Sequence, residues 1–169
     1  MKKLLLLGAL LLLTGCINKP YVDTTSSNFA TLQLIPNSKT LIFKDRYYAL
    51  FYDYKNYMAE KCKGSKKSSL GILETNSDTP SKIVKIKAGT PILISANYQV
   101  RSGNSTSTEY TQIVLNPQKN KNYVIQYSKK SINLFRSVSD FNVYTRNGNK
   151  ISKIPDSKIR NLGKKECRR

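Results

Sequence analysis

Few residues in this chain are equipped for covalent chemistry. It holds three cysteines (Cys16, Cys62 and Cys167) and no histidine. Nucleophilic catalysis needs an activated Ser, Cys or Thr beside a base, so the bases left are Lys, Asp and Glu. Serines are plentiful, but none lies in a G-x-S-x-G elbow or in an S-x-x-K context with its supporting motifs. The strings SVSD and SKKS are short enough to arise by chance. Glycoside hydrolysis needs two carboxylates at a set separation. The acids Asp23, Asp45, Asp53, Glu60, Glu74, Asp78, Glu109, Asp140, Asp156 and Glu166 are scattered, most of them beside Lys, Asn or Ser, and read as solvated surface charge. No EF-hand, P-loop or dinucleotide fingerprint is present. The string GNSTSTE reads as a loop. A zinc site would need more ligands than two cysteines and no histidine supply. The expectation is a non-enzyme with no catalytic residue, no cofactor and no metal.

The front of the chain has a different logic. Lys2 and Lys3 precede ten apolar residues, Leu4 to Leu13. That run is too short to span a bilayer, which takes about 20 residues as a helix, and its length and flanks fit a secretory signal peptide. It ends in Leu13-Thr14-Gly15-Cys16, which resembles the lipobox of bacterial lipoproteins. The resemblance implies that residues 1–15 are a signal peptide, that the Cys16 thiol receives a diacylglycerol, that cleavage falls just before it, and that the new amine is acylated. Each buried methylene of such chains adds about 0.8 kcal/mol to membrane affinity. In Gram-negative lipoproteins an aspartate after the cysteine is the usual signal to stay in the inner membrane. Ile17 stands there instead, which by resemblance favours the outer membrane, facing the periplasm. Residues 16–28, polar with one proline after Ile17, read as the lipidated cysteine and a flexible tether.

Cys62 and Cys167 remain in the exported chain. An oxidising compartment favours their pairing, which would close a loop of about 105 residues. Each cysteine sits among cations. Lys61, Lys63, Lys66 and Lys67 surround the first and Lys164, Lys165, Arg168 and Arg169 the second, opposed only by Glu60 and Glu166. A disulfide would therefore assemble eight cations from two distant segments into one patch, within about two Debye lengths at physiological salt. Such a patch is a candidate grip for phosphate or carboxylate groups. The plainer reading is a solvated loop and tail.

The whole chain carries a formal charge of +19, and removal of Lys2 and Lys3 with the leader lowers it by two. Such basicity suits a polyanionic neighbour, whether lipid phosphate, acidic glycan or acidic protein. It also suits a compositional bias, because Lys far outnumbers Arg and Asn and Ile are abundant. Nucleic acid is a poor fit: there is no zinc-finger spacing, no RNP-type aromatic motif and no recognisable basic helix.

The elements that must position these groups read as β. Ala30, Leu32 and Leu34 alternate with Thr31, Gln33 and Ile35 before a Pro36-Asn37-Ser38 turn. Thr40 to Phe43 is a second short run. Ile83, Val84 and Ile86 form a strand that Ala88-Gly89 ends. Ile92, Ile94, Ala96 and Tyr98 keep period two. Tyr110 to Leu115 follows a polar loop over residues 102–108. Tyr123, Ile125 and Tyr127 alternate again, and Ile132 to Phe135 and Phe141 to Thr145 complete the set. Asn147-Gly148 is a type I′ hairpin signal. RYYALFYDYKNYMAEKC reads as a strand through about Tyr52, then a loop or helical turn to Cys62. Its five tyrosines are either amphipathic core packing or an aromatic platform for sugars, and the absence of tryptophan weakens the second. The tail from Pro155-Asp156 to Gly163 holds at most a short helical turn.

Turn chemistry every 8 to 15 residues favours an all-β fold, an antiparallel β-sandwich or small barrel, as a single domain over residues 29–169. This resembles the small uncharacterised β-rich lipoproteins of Gram-negative envelopes. The expected function is a structural or adaptor binding module of the envelope, membrane-bound through lipid on Cys16, with an envelope protein or anionic polymer as partner. The alternative is an inhibitor or immunity-type lipoprotein that blocks a periplasmic hydrolytic enzyme. Replacing Cys16 with Ser is expected to abolish lipidation and leave an uncleaved precursor. Mass spectrometry of the mature N-terminus checks this, and an unmodified terminus elsewhere refutes it.

Overall fold

The computed structural model describes residues 19–37, 44–76, 79–102, 104–133, 136–155, 160–162 and 167. Cys16, the run from Thr40 to Phe43, and Lys164, Lys165, Arg168 and Arg169 lie outside them. Among the described residues ten strands and one short helix follow in order: β1 (Phe29–Asn37), β2 (Lys44–Asp53), α1 (Tyr54–Ala59), β3 (Ser69–Asn76), β4 (Val84–Lys87), β5 (Ile92–Ser102), β6 (Ser105–Leu115), β7 (Asn122–Asn133), β8 (Arg136–Asn147), β9 (Lys150–Lys153) and β10 (Arg160–Asn161). They form two five-stranded sheets, ordered β4-β1-β7-β8-β9 and β10-β6-β5-β2-β3. The sheets pack face to face as a sandwich, and no closed barrel forms.

Period-two alternation explains which faces meet. Ala30, Leu32 and Leu34 of β1, Ala49 and Phe51 of β2, Val84 and Ile86 of β4, Ile92, Ile94 and Ala96 of β5, and Tyr123 and Ile125 of β7 all join one buried cluster. Exposed Lys85 and Lys87 fall between and after the two core residues of β4. Alternation of this kind fixes register, since a slip by one residue would turn the apolar set to water. Among the described residues the strand pairs are antiparallel except β1 with β7, which is parallel from Thr31↔Asn122 to Asn37↔Ser128.

Several local expectations are corrected. Most of the polar stretch 102–108 is strand and not loop, with Ser102 in β5 and residues 105–108 in β6. β5 and β6 pair out to Ser102↔Ser105, because the backbone ladder continues where side-chain patterning stops. The hairpin turn before β9 centres on Gly148 and Asn149, with Asn147 paired to Lys150. Gly148 takes φ +57° at the first central position, where a type II′ turn places glycine. In the tail, Arg160 and Asn161 pair with Val114 and Ile113 as strand β10, while residues 156–159 and 163, at the two ends of the expected helical turn, lie outside the described residues. In the other direction, the strand and helical turn expected between Tyr47 and Cys62 are found as β2 and α1.

The expected tether is packed from Lys19 onward. Pro20 bridges to Ile72, the Ile72 amide donates to the Lys19 carbonyl at 3.0 Å, and the Tyr21 amide donates to the Ile72 carbonyl at 2.8 Å. Farther on, the Thr24 amide donates to the Lys85 carbonyl at 3.1 Å, and the Lys85 amide donates to the Asp23 carboxylate at 3.0 Å. The segment is thus a strap across one open side of the sandwich, from the β3 edge to the β4 edge. Tyr21 anchors it. Its ring is buried against Phe51, with centroids 4.8 Å apart, and its hydroxyl donates to the Lys85 carbonyl at 3.2 Å. Burial, helped by the Asp23 carboxylate, pushes the Tyr21 phenol up to about 12.

The strap comes so close to β3 that only glycine fits beneath it. Gly71 has φ +127°, and a Cβ there would lie 2.7 Å from the Tyr21 Cα. Gly71→Ala is therefore expected to destabilise the fold by about 2 to 4 kcal/mol, through backbone strain and a lifted strap. Urea unfolding checks this. A loss under about 0.5 kcal/mol, the range of an ordinary surface change, would mean that the strap yields at no cost.

Candidate functional site

Cys62 and Cys167 form the disulfide, with Cα atoms 5.5 Å apart and a sequence separation of 105. In the chain-entropy model a loop of that length is worth about 4 to 5 kcal/mol. The bond lies on the outer face of the second sheet. Tyr57, Leu93 and Leu162 are buried there, with Tyr52, Tyr54, Met58, Val114 and both cysteines packed around them. Helix α1 reaches this place because Asp53 caps it, its carboxylate accepting from the Asn56 amide at 2.8 Å. The C-terminal segment reaches it because the Leu162 amide donates to the Gln112 carbonyl at 3.1 Å. Gln112 in turn donates to the Tyr57 hydroxyl at 3.0 Å, tying the helix to β6.

Beyond α1 the chain is wound around Glu60. Its carboxylate accepts from the Ser65 amide at 3.0 Å, from the Ser65 hydroxyl, and from the Ser68 hydroxyl at 2.8 Å. Lys61 and Cys62 adopt left-handed φ values of +51° and +61°, uncommon for residues with side chains. The result is a compact loop that displays Lys61, Lys63, Lys66 and Lys67, all exposed. The second half of the expected patch, Lys164, Lys165, Arg168 and Arg169, lies outside the described residues, but Cys167 itself is joined to this loop. In the sequence Glu60 read only as an opposing charge. In the structure it organises the loop, and the serines five and eight residues later were the available signal.

The tyrosines divide by packing. Tyr47, Tyr98 and Tyr127 are buried together with Phe141 against them, the Tyr98 and Tyr127 rings stacked at 4.2 Å. Tyr57 is buried under the disulfide loop. Of the five tyrosines between Tyr47 and Tyr57, Tyr47 and Tyr57 are core residues, Tyr52 and Tyr54 pack half-buried around Tyr57, and Tyr48 is half-buried with the Arg46 guanidinium over its ring. Several carboxylates have structural work: Asp53 caps α1, Glu60 winds the loop, and Glu74 pairs with Arg46. Among the described residues no group of His, Cys, Asp and Glu is arranged to hold a metal ion.

A second cationic region has no counterpart in the sequence reading. Hollows of about 480 and 390 Å³ adjoin where β7 begins, β8 ends and β9 runs, and they share Lys121 and Thr145. Lys121, Arg146, Lys150 and Lys153 line them together with the amides of Asn116, Gln118, Asn120, Asn122 and Asn147. Comparison with protein-family models, with curated proteins and with solved structures finds no match to this chain.

The Glu60 carboxyl is held below the usual carboxylate range, first by the hydrogen bonds from Ser65 and Ser68, then by Lys67. A depressed pKa in the folded state means that Glu60 contributes its stabilisation above the unfolded-state value, and that this is lost as pH falls through the lower folded value. The Ser65 amide NMR resonance should thus titrate with a midpoint below the ordinary glutamate value of about 4.3. Glu60→Gln should abolish that titration. A midpoint at or above the ordinary value would remove Glu60 as the organiser of the loop.

Proposed function

We propose that this protein is a non-catalytic, lipid-anchored binding module of the bacterial envelope, held at the outer membrane and engaging an anionic envelope polymer or an acidic protein. The observation that carries this reading is the strap. The chain is pinned into the fold at Lys19, three residues after the lipobox cysteine, and Tyr21 is in the core. Three residues span at most about 10 Å, so a lipid on Cys16 would hold the β3 and β4 edges close to the headgroups. Lys82, Lys85 and Lys87, exposed on and just before β4, would meet an anionic surface there. Strand β9 lies at the far edge of the same sheet. It is four inter-strand spacings from β4, about 19 Å, and would face away from the bilayer.

The structural duties of Asp53, Glu60 and Glu74 support a binding rather than a catalytic reading. So does a fold whose cationic groups are presented on two separate surfaces.

A photo-crosslinking amino acid at Lys87 is expected to capture phospholipid in intact cells. The same group at Lys150 should capture a non-lipid envelope component. Analysis of the adducts by mass spectrometry decides the matter. Lipid capture from neither position, or equally from both, would overturn the anchored orientation.

A further inference from the structure

The trough at the β7–β8–β9 end is a feature that the fold itself does not explain. Four cations line it, Lys121, Arg146, Lys150 and Lys153, and no carboxylate does so among the described residues. Two polar groups are held in place by neighbours on β1. The Arg146 guanidinium donates to the Gln33 side-chain oxygen at 3.1 Å, and the Asn122 side-chain oxygen accepts from the Thr31 hydroxyl at 2.7 Å. Lys150 and Lys153 are carried on one short strand, and Lys121 immediately precedes β7.

We propose that this trough binds a short anionic oligosaccharide, one whose negative charges are phosphate or carboxylate groups spaced along the sugar chain. Size supports this: hollows of about 480 and 390 Å³ fall in the range of small-ligand sites. Two joined hollows with separated cations suit several charges spread along a chain. Chemistry supports it too. Side-chain amides both donate and accept, as do hydroxyls, which matches the hydroxyl pattern of a sugar. An acidic peptide fits less well. Its natural mode would be strand addition at the β9 edge, but β9 has only four residues and carries lysine at both ends, a pattern that discourages strand addition.

The site is independent of the disulfide loop. It rests on the anchored reading only for its direction, away from the bilayer. Binding in solution and lipid crosslinking in cells therefore fail separately.

The test uses the full lipidated protein in neutral detergent, titrated calorimetrically with four probes. Tetragalacturonate supplies carboxylates. The deacylated, bis-phosphorylated glucosamine disaccharide of lipid A supplies phosphates. Maltotetraose is the neutral sugar, and hexaglutamate the acidic peptide. At least one anionic sugar is expected to bind saturably and more tightly than maltotetraose and hexaglutamate, weakening as salt rises. The triple change Lys121→Gln, Lys150→Gln and Lys153→Gln should weaken it about tenfold, mid-range for three exposed ion pairs. Lys61→Gln, Lys63→Gln and Lys66→Gln together remove the same charge from the disulfide loop and should leave affinity nearly unchanged. Thermal unfolding identical to the parent confirms that both variants are folded. Equal losses from the two triples would show that only net charge matters and overturn the proposal. Tighter binding of hexaglutamate would overturn it in favour of an acidic-protein surface. The absence of saturable binding by either anionic sugar would overturn it outright.

Discussion

The structure depends on β5 being buried on both faces. It is the middle strand of its sheet, and Ile92 through Tyr98 are all buried. Ile92, Ile94 and Ala96 face the opposite sheet in the main core. Leu93 faces outward and would meet water in a simple two-layer sandwich, where only the inner faces are covered. Exposing a leucine in place of burying it forfeits about 1.5 to 3 kcal/mol. Tyr57 of α1 and Leu162 of the C-terminal segment supply the cover. The disulfide joins the ends of those two covering pieces, so its first physical role is to keep a lid on the central strand. The Glu60-wound loop, with its exposed lysines, is a by-product of where that lid must end.

The two open sides of the sandwich are treated differently. One is closed by the strap, with Tyr21 in the core and Gly71 beneath it. On the other, the connection from β6 to β7 and the return from β8 into β9 diverge and leave the cationic trough between them. Closing a side adds buried area and removes edges that could pair with other chains. Leaving a side open gives up that stabilisation, and in a domain of this size such an opening is where a ligand can be accommodated. If the strap side lies against the membrane, the closed side is the one that needs no partner and the open side is the one presented to the envelope space.

The alternating residues 30–35, 92–98 and 123–127 determined the strands and their inward faces, because side-chain direction in a strand is a local property with a period of two. Two cysteines beyond Cys16 and no histidine, in a chain read as exported, were enough to expect the Cys62–Cys167 pair. The β-formers up to Tyr52 made the end of the strand legible, but a loop and a helical turn before Cys62 stayed equally open until the Asp53 cap set the helix. What remained invisible was set by contacts between distant segments. A lone Tyr21 among polar residues carries no periodic signal, so the strap looked like a tether until Ile72 and Lys85 supplied its hydrogen bonds. Lys121, Arg146, Lys150 and Lys153 look like unremarkable scattered cations along the chain. They converge because β7, β8 and β9 are adjacent, with Asn122 opposite Arg146 and Arg146 opposite Ile151. Local sequence decides which way a side chain points from its strand. Only the order of strands in the sheet, including the parallel β1–β7 pair that no local pattern announces, decides which distant side chains share a site.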